Sequence, residues 1–252
     1  MSDKGALSNP VLLIEGTPGR LNDVARRIRL QGAEPVIACG TAEAAGLIPT
    51  HGLLPEAEHG IAAVLVDASL ASRTLKKELS RLRTAAGGLE LFYVAIGEEP
   101  TSALRKKLRG AGIRSALWEP FDDATLRFQL NRAWNADRDD HKRANPRIPT
   151  YLHAQIGGGQ RVKDGVVYSL SIQGAFIETP RASMAGAMVD VAIRLPNCFV
   201  ETKARVVFAN VPGNLQRPNL PLGMAVRFEA LDAPASRKLK TYVKDRLAKL
   251  EV

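Results

Sequence analysis

Cysteine and aromatic side chains are scarce in this sequence. Only two cysteines, Cys39 and Cys198, occur among 252 residues, and they lie far apart in the chain. That argues against a disulfide framework or a cysteine-rich metal site and suits a reducing cytoplasm, the localisation expected here. Aromatic residues make up 5% of the chain, too few for the stacking platforms that hold single-stranded nucleic acid, so nucleic acid is not the expected partner. No stretch approaches the roughly 20 uninterrupted apolar residues of a membrane span. The opening MSDKGALSNP lacks the apolar core of a secretory signal. The four histidines, His51, His59, His141 and His153, have no HExxH spacing, and neither a G-x-S-x-G elbow nor a Walker loop occurs. Gly157-Gly158-Gly159 has no Lys-Ser/Thr after it and reads as a hairpin turn, not a phosphate loop. The expectation is a protein that is not an enzyme and carries no catalytic residue, metal or cofactor.

Positive charge, by contrast, is in excess and unevenly placed. The chain holds 35 Lys+Arg against 26 Asp+Glu, a net +9. Residues 1–136 carry 17 basic and 15 acidic side chains, whereas residues 137–252 carry 18 and 11. The second half therefore bears most of the excess, either for an anionic partner or for solubility. At 45% hydrophobic and 24% charged residues, the chain can bury a core, and its length suits two domains of roughly 100–150 residues.

The pattern divides accordingly. Residues 1–9 read as a flexible tail. In residues 10–136, short apolar runs alternate with helical stripes. Val11-Leu12-Leu13-Ile14 suits a buried parallel strand, and Leu21, Val24, Ala25 and Ile28 recur at helical spacing before Gly32. The cycle repeats at Pro35–Ala38, then at a short helix capped by Thr41 and running through Ala45. A Gly/Pro-rich loop is expected over 46–60. Further strands are expected at Ile61–Val66, Leu91–Ile96 and Arg114–Trp118. Helices fall between them on Leu75, Leu79 and Leu82 and on Leu104 and Leu108, the latter capped by Thr101. Leu126, Leu130 and Trp134 line a last helix. Five such units predict a doubly wound, five-stranded parallel sheet.

Residues 137–142, Asp-Arg-Asp-Asp-His-Lys, contain no apolar side chain and read as a linker, or as one more turn of the preceding helix. Beyond them the period becomes two. Val189, Val191, Ile193 and Leu195 alternate with other residues, as do Ala204, Val206 and Phe208, then Met224, Val226 and Phe228. Val166, Tyr168 and Leu170 continue the theme. Turn signals stand at Gly157–Gly159, Lys163-Asp164-Gly165, Pro212-Gly213-Asn214 and Pro218-Asn219. This pattern predicts a small antiparallel β-barrel over 143–252. A closing helix follows Pro234, with Leu239, Tyr242, Val243, Leu247 and Leu250 as its apolar stripe. Its flanking lysines would also suit a membrane surface, but packing on the barrel is the commoner use of such a stripe.

The first half resembles the receiver domain of two-component response regulators. The resemblance places Asp67, at the end of Val64-Leu65-Val66-Asp67, where the phosphoacceptor would be. The other functional positions depart. Glu15 is followed by Gly16 in place of a second acid, Ile96 and Gly97 stand at the hydroxyl position, and Glu119-Pro120-Phe121 replaces Lys-Pro-Phe. Replacing an attractive lysine by a repulsive glutamate at ~4 Å and an effective dielectric of about 20 swings about 8 kcal/mol before solvent adjusts. The resemblance thus implies a pseudo-receiver, a platform for a protein partner. On it, Asp67 is at most a candidate phosphoacceptor.

The second half resembles the PilZ domain. Arg143-Ala144-Asn145-Pro146-Arg147 matches that family's RxxxR segment, and Ser169-Leu170-Ser171-Ile172-Gln173-Gly174 its [D/N]xSxxG motif, with Ser169 in place of Asp or Asn. Leu222–Phe228 resembles the family's late Gly-containing strand. The resemblance implies binding of cyclic di-GMP, a bacterial second messenger, through Arg143, Arg147, Ser169, Ser171 and Gly174. The chemistry is apt. Guanidinium groups fork onto phosphate or guanine edges, and Pro146 and Pro149 hold the arginine segment extended. Ser171 has a hydroxyl for phosphate or for its own turn, and Gly174 allows an approach that a Cβ would obstruct. The expected protein is a cyclic di-GMP signalling effector in which the arginine segment closes on the ligand and the pseudo-receiver reorients. The alternative is an interaction module whose barrel has lost the ligand.

Overall fold

Helical stripes and apolar strand runs in the first half resolve into a layered α/β unit. The computed structural model describes residues 10–50, 62–88, 91–134, 145–158, 161–217 and 220–252. Strands β1 (Pro10–Glu15), β2 (Glu34–Cys39), β3 (Ala62–Asp67), β4 (Leu91–Glu98) and β5 (Ser115–Glu119) form one parallel sheet in the order β2-β1-β3-β4-β5. Between them run α1 (Asn22–Leu30), α2 (Gly40–Thr50), α3 (Leu75–Ala85) and α4 (Ser102–Gly110), with α5 (Asp123–Trp134) after β5. Both sheet faces are covered, which is why β1 and β3 are continuous apolar runs with no polar alternation. Val24, Ala25 and Ile28 of α1 pack with Leu126 and Leu130 of α5 on one face. Ala44 and Ile48 of α2, Leu75, Leu79 and Leu82 of α3, and Leu108 of α4 pack on the other. Thr101 caps α4 as the sequence predicts, its Oγ1 accepting from Leu104 N at 3.4 Å.

One helix is longer than expected. The sequence predicts a stop near Ala45 and a loop from residue 46, but α2 continues to Thr50 through Gly46 and Pro49. Burial of Ala44 and Ile48, four residues apart on one face, outweighs the low propensity of those two residues, and Pro49 falls in the last turn. The remainder of the expected loop, 51–60, lies outside the described residues, as do the tail at 1–9 and the linker at 137–142.

The second unit is a closed antiparallel barrel. Its strands are β6 (Ile148–Gly158), β7 (Arg161–Ser171), β8 (Gly174–Glu178), β9 (Met188–Leu195), β10 (Cys198–Val211) and β12 (Gly223–Phe228), with a two-residue β11 (Asn214–Leu215) beside β10. The order is β10-β12-β8-β7-β6-β9, and pairing of β9 with β10 closes the ring. Closure removes exposed edges. Strand β9 shows the predicted alternation, with Val189, Val191, Ile193 and Leu195 buried.

Elsewhere the alternation shifts phase. In β7 the pairing with β8 slips between Val167 and Ser169, so Val167 is buried and Val166 only half-buried. The expected inward set of Val166, Tyr168 and Leu170 is corrected to Val167, Tyr168 and Leu170, since a bulge moves an odd residue onto the other face. Lys163-Asp164-Gly165 is likewise not a turn but lies within β7. A Cβ at Gly165 would meet Ile177 Cγ2 at 2.7 Å, so this glycine serves a close strand crossing. Gly157 and Gly158 belong to β6, not to a turn, and Gly159 lies outside the described residues. Pro218-Asn219 lies outside the described residues.

Helix α6 (Ala233–Leu247) packs on β10 and β6, burying Leu239 and Val243. Asp232 caps it, with Oδ1 accepting from Ala235 N at 2.6 Å. Leu250, expected on this stripe, lies beyond the helix. The chain divides into one unit comprising Met1–Lys142 with Lys249–Val252 and a second comprising Arg143–Ala248.

Candidate functional site

Four of the motif residues, Arg147, Ser169, Ser171 and Gly174, gather around the β7–β8 hairpin. Ile148 pairs with Leu170 and Pro149 with Ser169, so Arg147, just ahead of β6, is delivered to the end of β7. Its Nη1 donates to Ser169 Oγ at 3.2 Å. Ser171 pairs with Gly174 across a turn of two residues, Ile172 and Gln173. The Ser171 hydroxyl donates to Gly174 O at 3.1 Å and accepts from Gln173 N at 3.4 Å. Of the two uses the sequence left open for this hydroxyl, the structure displays the turn. Both Ser169 and Ser171 are buried, each 4% exposed.

Gly174 is required by packing. A Cβ there would lie 2.2 Å from Val226 O and 3.3 Å from Arg227 Cα, both backbone atoms of β12. Side chains do not approach backbone that closely, so only glycine fits at this spacing. Pairing of β8 with β12 sets Gly174 opposite Arg227, an exposed arginine in a strand otherwise buried. Arg227 is thus a cation beside the hairpin that the motif reading missed. Its exposure was legible in the alternation of β12, but its neighbour was not, because strand pairing cannot be read from one strand. Arg143, the first arginine of the motif, lies outside the described residues.

A separate open cavity of about 330 Å³ lies on the barrel, lined by Tyr151, His153, Asp164 and Glu178 among others. None of the motif residues lines it. Two carboxylates in its wall oppose an anionic ligand, and His153 is already engaged with Asp164 at 3.0 Å. The motif at the hairpin, with arginines on either side, is the better candidate for a diphosphate.

In the first unit the acidic position is filled from within. Asp67 Oδ2 accepts from Gly16 N at 3.2 Å and Oδ1 from Ser69 N at 2.9 Å. Glu15 is similarly held, by Gly19 N at 2.9 Å and Leu21 N at 3.2 Å. Arg20 Nη2 pairs with Glu119 Oε2 at 2.7 Å. That hydrogen bond raises the Arg20 guanidinium above its ordinary range despite opposing desolvation, and the charges of Glu119, Asp67 and Glu98 add to the effect. A Cβ at Gly16 would meet Ser69 Oγ at 2.4 Å, so a second acid there would require the Ser69 side chain to rotate away. Ile96 is wholly buried and offers no hydroxyl. Among the described residues, no group of three or more His, Cys, Asp or Glu side chains is placed to share a metal ion.

The family model of the PilZ domain matches residues 141–245. No curated protein sequence matches the chain. Among solved structures, the chain is similar to the Bacillus subtilis inhibitor of motility MotI/DgrA at 20% identity, over 42% of this chain and 51% of that one, with a TM-score of 0.37. It thus spans about half the length of that relative. It is also similar to the PilZ domain of YcgR from Escherichia coli, solved with c-di-GMP, at 15% identity over 43% of this chain and 93% of that one, with a TM-score of 0.34. A third likeness is to the Vibrio cholerae chemotaxis protein CheY4, at 17% identity over 50% of this chain and 98% of that one, with a TM-score of 0.39. The architecture is a five-stranded parallel α/β unit followed by a closed antiparallel β-barrel with a C-terminal helix. No helix among the described residues is long and apolar enough to cross a membrane.

Proposed function

We propose that this protein is a cyclic di-GMP-binding signalling effector. The observation that carries the reading is the placement of Arg147 against Ser169 at the mouth of the β7–β8 hairpin, within a stretch that matches the PilZ domain. Arg143 and Arg147 bind the two phosphates or the guanine edges of the dinucleotide, and Ser169, Ser171 and Gly174 form the floor. The arginine segment closes over the ligand, and its ordering reorients the receiver-like unit, which presents a protein-docking surface. That unit works as a pseudo-receiver: Asp67 is held by backbone donors and lacks the lysine and hydroxyl that phosphoryl transfer needs.

Isothermal titration of cyclic di-GMP tests the reading. Binding at micromolar ligand that weakens at least tenfold in Arg147→Ala supports it. Absence of binding, or equal binding in the variant, sinks it. Distance measurement between labels on the two units, with and without ligand, tests the reorientation; an unchanged distance at saturation removes that step.

A second reading is favoured by Ser169. Serine is shorter than Asp or Asn and has one oxygen, which here accepts from Arg147. Losing such a contact costs about 1–3 kcal/mol, one to two orders of magnitude in affinity. On this reading the barrel is an interaction module without ligand, and Ser169→Asp leaves binding undetectable. A weakened sensor instead tightens.

A further inference from the structure

Strand β5 is an edge of the parallel sheet, where unpaired N–H and C=O groups invite another strand. This edge is not open. Residues 250–252 run antiparallel along it, with Glu251 bridging to Ser115. Ala116 N donates to Leu250 O at 2.8 Å, and Val252 N donates to Arg114 O at 3.2 Å.

Side chains from three elements hold the same short segment. Arg105 Nη1 of α4 donates to Glu251 O at 2.9 Å, and Trp118 Nε1 of β5 reaches the same oxygen at 3.3 Å. Gln129 Nε2 of α5 donates to Leu250 O at 3.4 Å, and Arg109 Nε of α4 to Val252 O. The Arg105 guanidinium also lies over the Trp118 ring, 5.4 Å from its centroid. Every one of these donors addresses a main-chain oxygen, so the groove recognises an extended backbone whatever its side chains. Selectivity comes from the two buried residues Leu250 and Val252, the latter packed in the apolar cluster with Leu108, Ile113, Ala116 and Trp118, while Glu251 is exposed. Main-chain pairing for affinity, with a pocket for alternate side chains, is the physics of strand addition.

We infer that the groove between α4, β5 and α5 is a strand-addition site. It takes an extended segment bearing a buried aliphatic residue, and the chain's own residues 250–252 occupy it as an internal clasp. The clasp lies in the same unit as the groove it fills, which comprises Met1–Lys142 with Lys249–Val252. The inference does not depend on cyclic di-GMP binding.

A labelled peptide with the sequence of residues 247–252, Leu-Ala-Lys-Leu-Glu-Val, probes the site by fluorescence anisotropy. Three proteins are compared: the full chain, the chain ended at Ala248, and full-length Val252→Asp. A tethered segment competes at an effective concentration of about millimolar, so the peptide is expected to bind either variant at least tenfold more tightly than the full chain. The same peptide carrying Val252→Asp is expected to bind none of them. Removal of the clasp also shifts the Trp118 indole N–H resonance, and added peptide restores it. Should ending the chain at Ala248 disrupt folding, as judged by circular dichroism, Val252→Asp decides. Equal peptide binding to all three proteins, or no binding to folded variants, overturns the inference.

Discussion

Gly174→Ala isolates the packing argument at the hairpin. The added Cβ would sit 2.2 Å from Val226 O, whereas relaxed carbon contacts lie near ~3.5 Å, so β8 and β12 must part by roughly 1 Å. The obstructing atoms are backbone, in a ladder where Gly174 pairs with Arg227 and Ala175 with Val226, and no rotamer change relieves them. Overpacking of this kind costs about 1–3 kcal/mol, and a backbone clash belongs at the upper end. Against it stands about 0.4–1 kcal/mol from the stiffer unfolded chain. The net is a loss of about 2 kcal/mol. For a barrel of this size that lowers the midpoint of thermal unfolding by roughly 8–16 °C. Calorimetry on the full chain reads the barrel transition, with the receiver-like transition as internal reference. An unchanged or raised midpoint would refute the reasoning, because it would mean that the strands leave room for a methyl group.

Three other outcomes follow from the geometry. Asn210 is 1% exposed, with Nδ2 donating to Arg217 O at 2.6 Å and Leu220 O at 3.2 Å and Oδ1 accepting from Arg217 N at 3.0 Å; Asn210→Ala orphans these groups and is expected to cost about 1–3 kcal/mol by urea unfolding. Burial pushes the Tyr93 hydroxyl, which donates to Leu79 O, up from 10.0 to about 12. The native state then holds that proton more tightly than the unfolded state, so stability is full below pH 10 and falls as pH rises from 10 through about 12; Tyr93→Phe flattens this fall in unfolding curves taken across that window. Acetyl phosphate with Mg²⁺ leaves the intact mass unchanged, because Asp67 is held by Gly16 N and Ser69 N; a phosphoryl adduct that Asp67→Asn abolishes contradicts the pseudo-receiver.

The parallel sheet was legible because each strand and helix announces itself within a few residues. Val11–Ile14, Leu75, Leu79, Leu82 and Thr101 all act where local pattern places them, since burial on both sheet faces leaves no phase to mistake. The barrel was legible only in part. A bulge is invisible to alternation, so Val166 and Val167 exchange faces, and Lys163-Asp164-Gly165 resembles a turn although its glycine marks a strand crossing. Helix α2 runs on because Ile48 finds a core that propensity cannot foresee. At the site, Arg147 and Ser169 could be named from the motif, yet their hydrogen bond depends on pairing of Pro149 with Ser169, a long-range fact. Leu250 continued the stripe of α6 in sequence, and only the sheet edge at β5 reveals the separate use of residues 250–252.

The most direct test of the account is titration calorimetry of cyclic di-GMP into the full chain and into Arg147→Ala. The account predicts saturable micromolar binding that weakens at least tenfold in the variant, with thermal unfolding of both proteins unchanged in the absence of ligand. Binding that is absent from the parent chain, or equal in the two proteins, contradicts it.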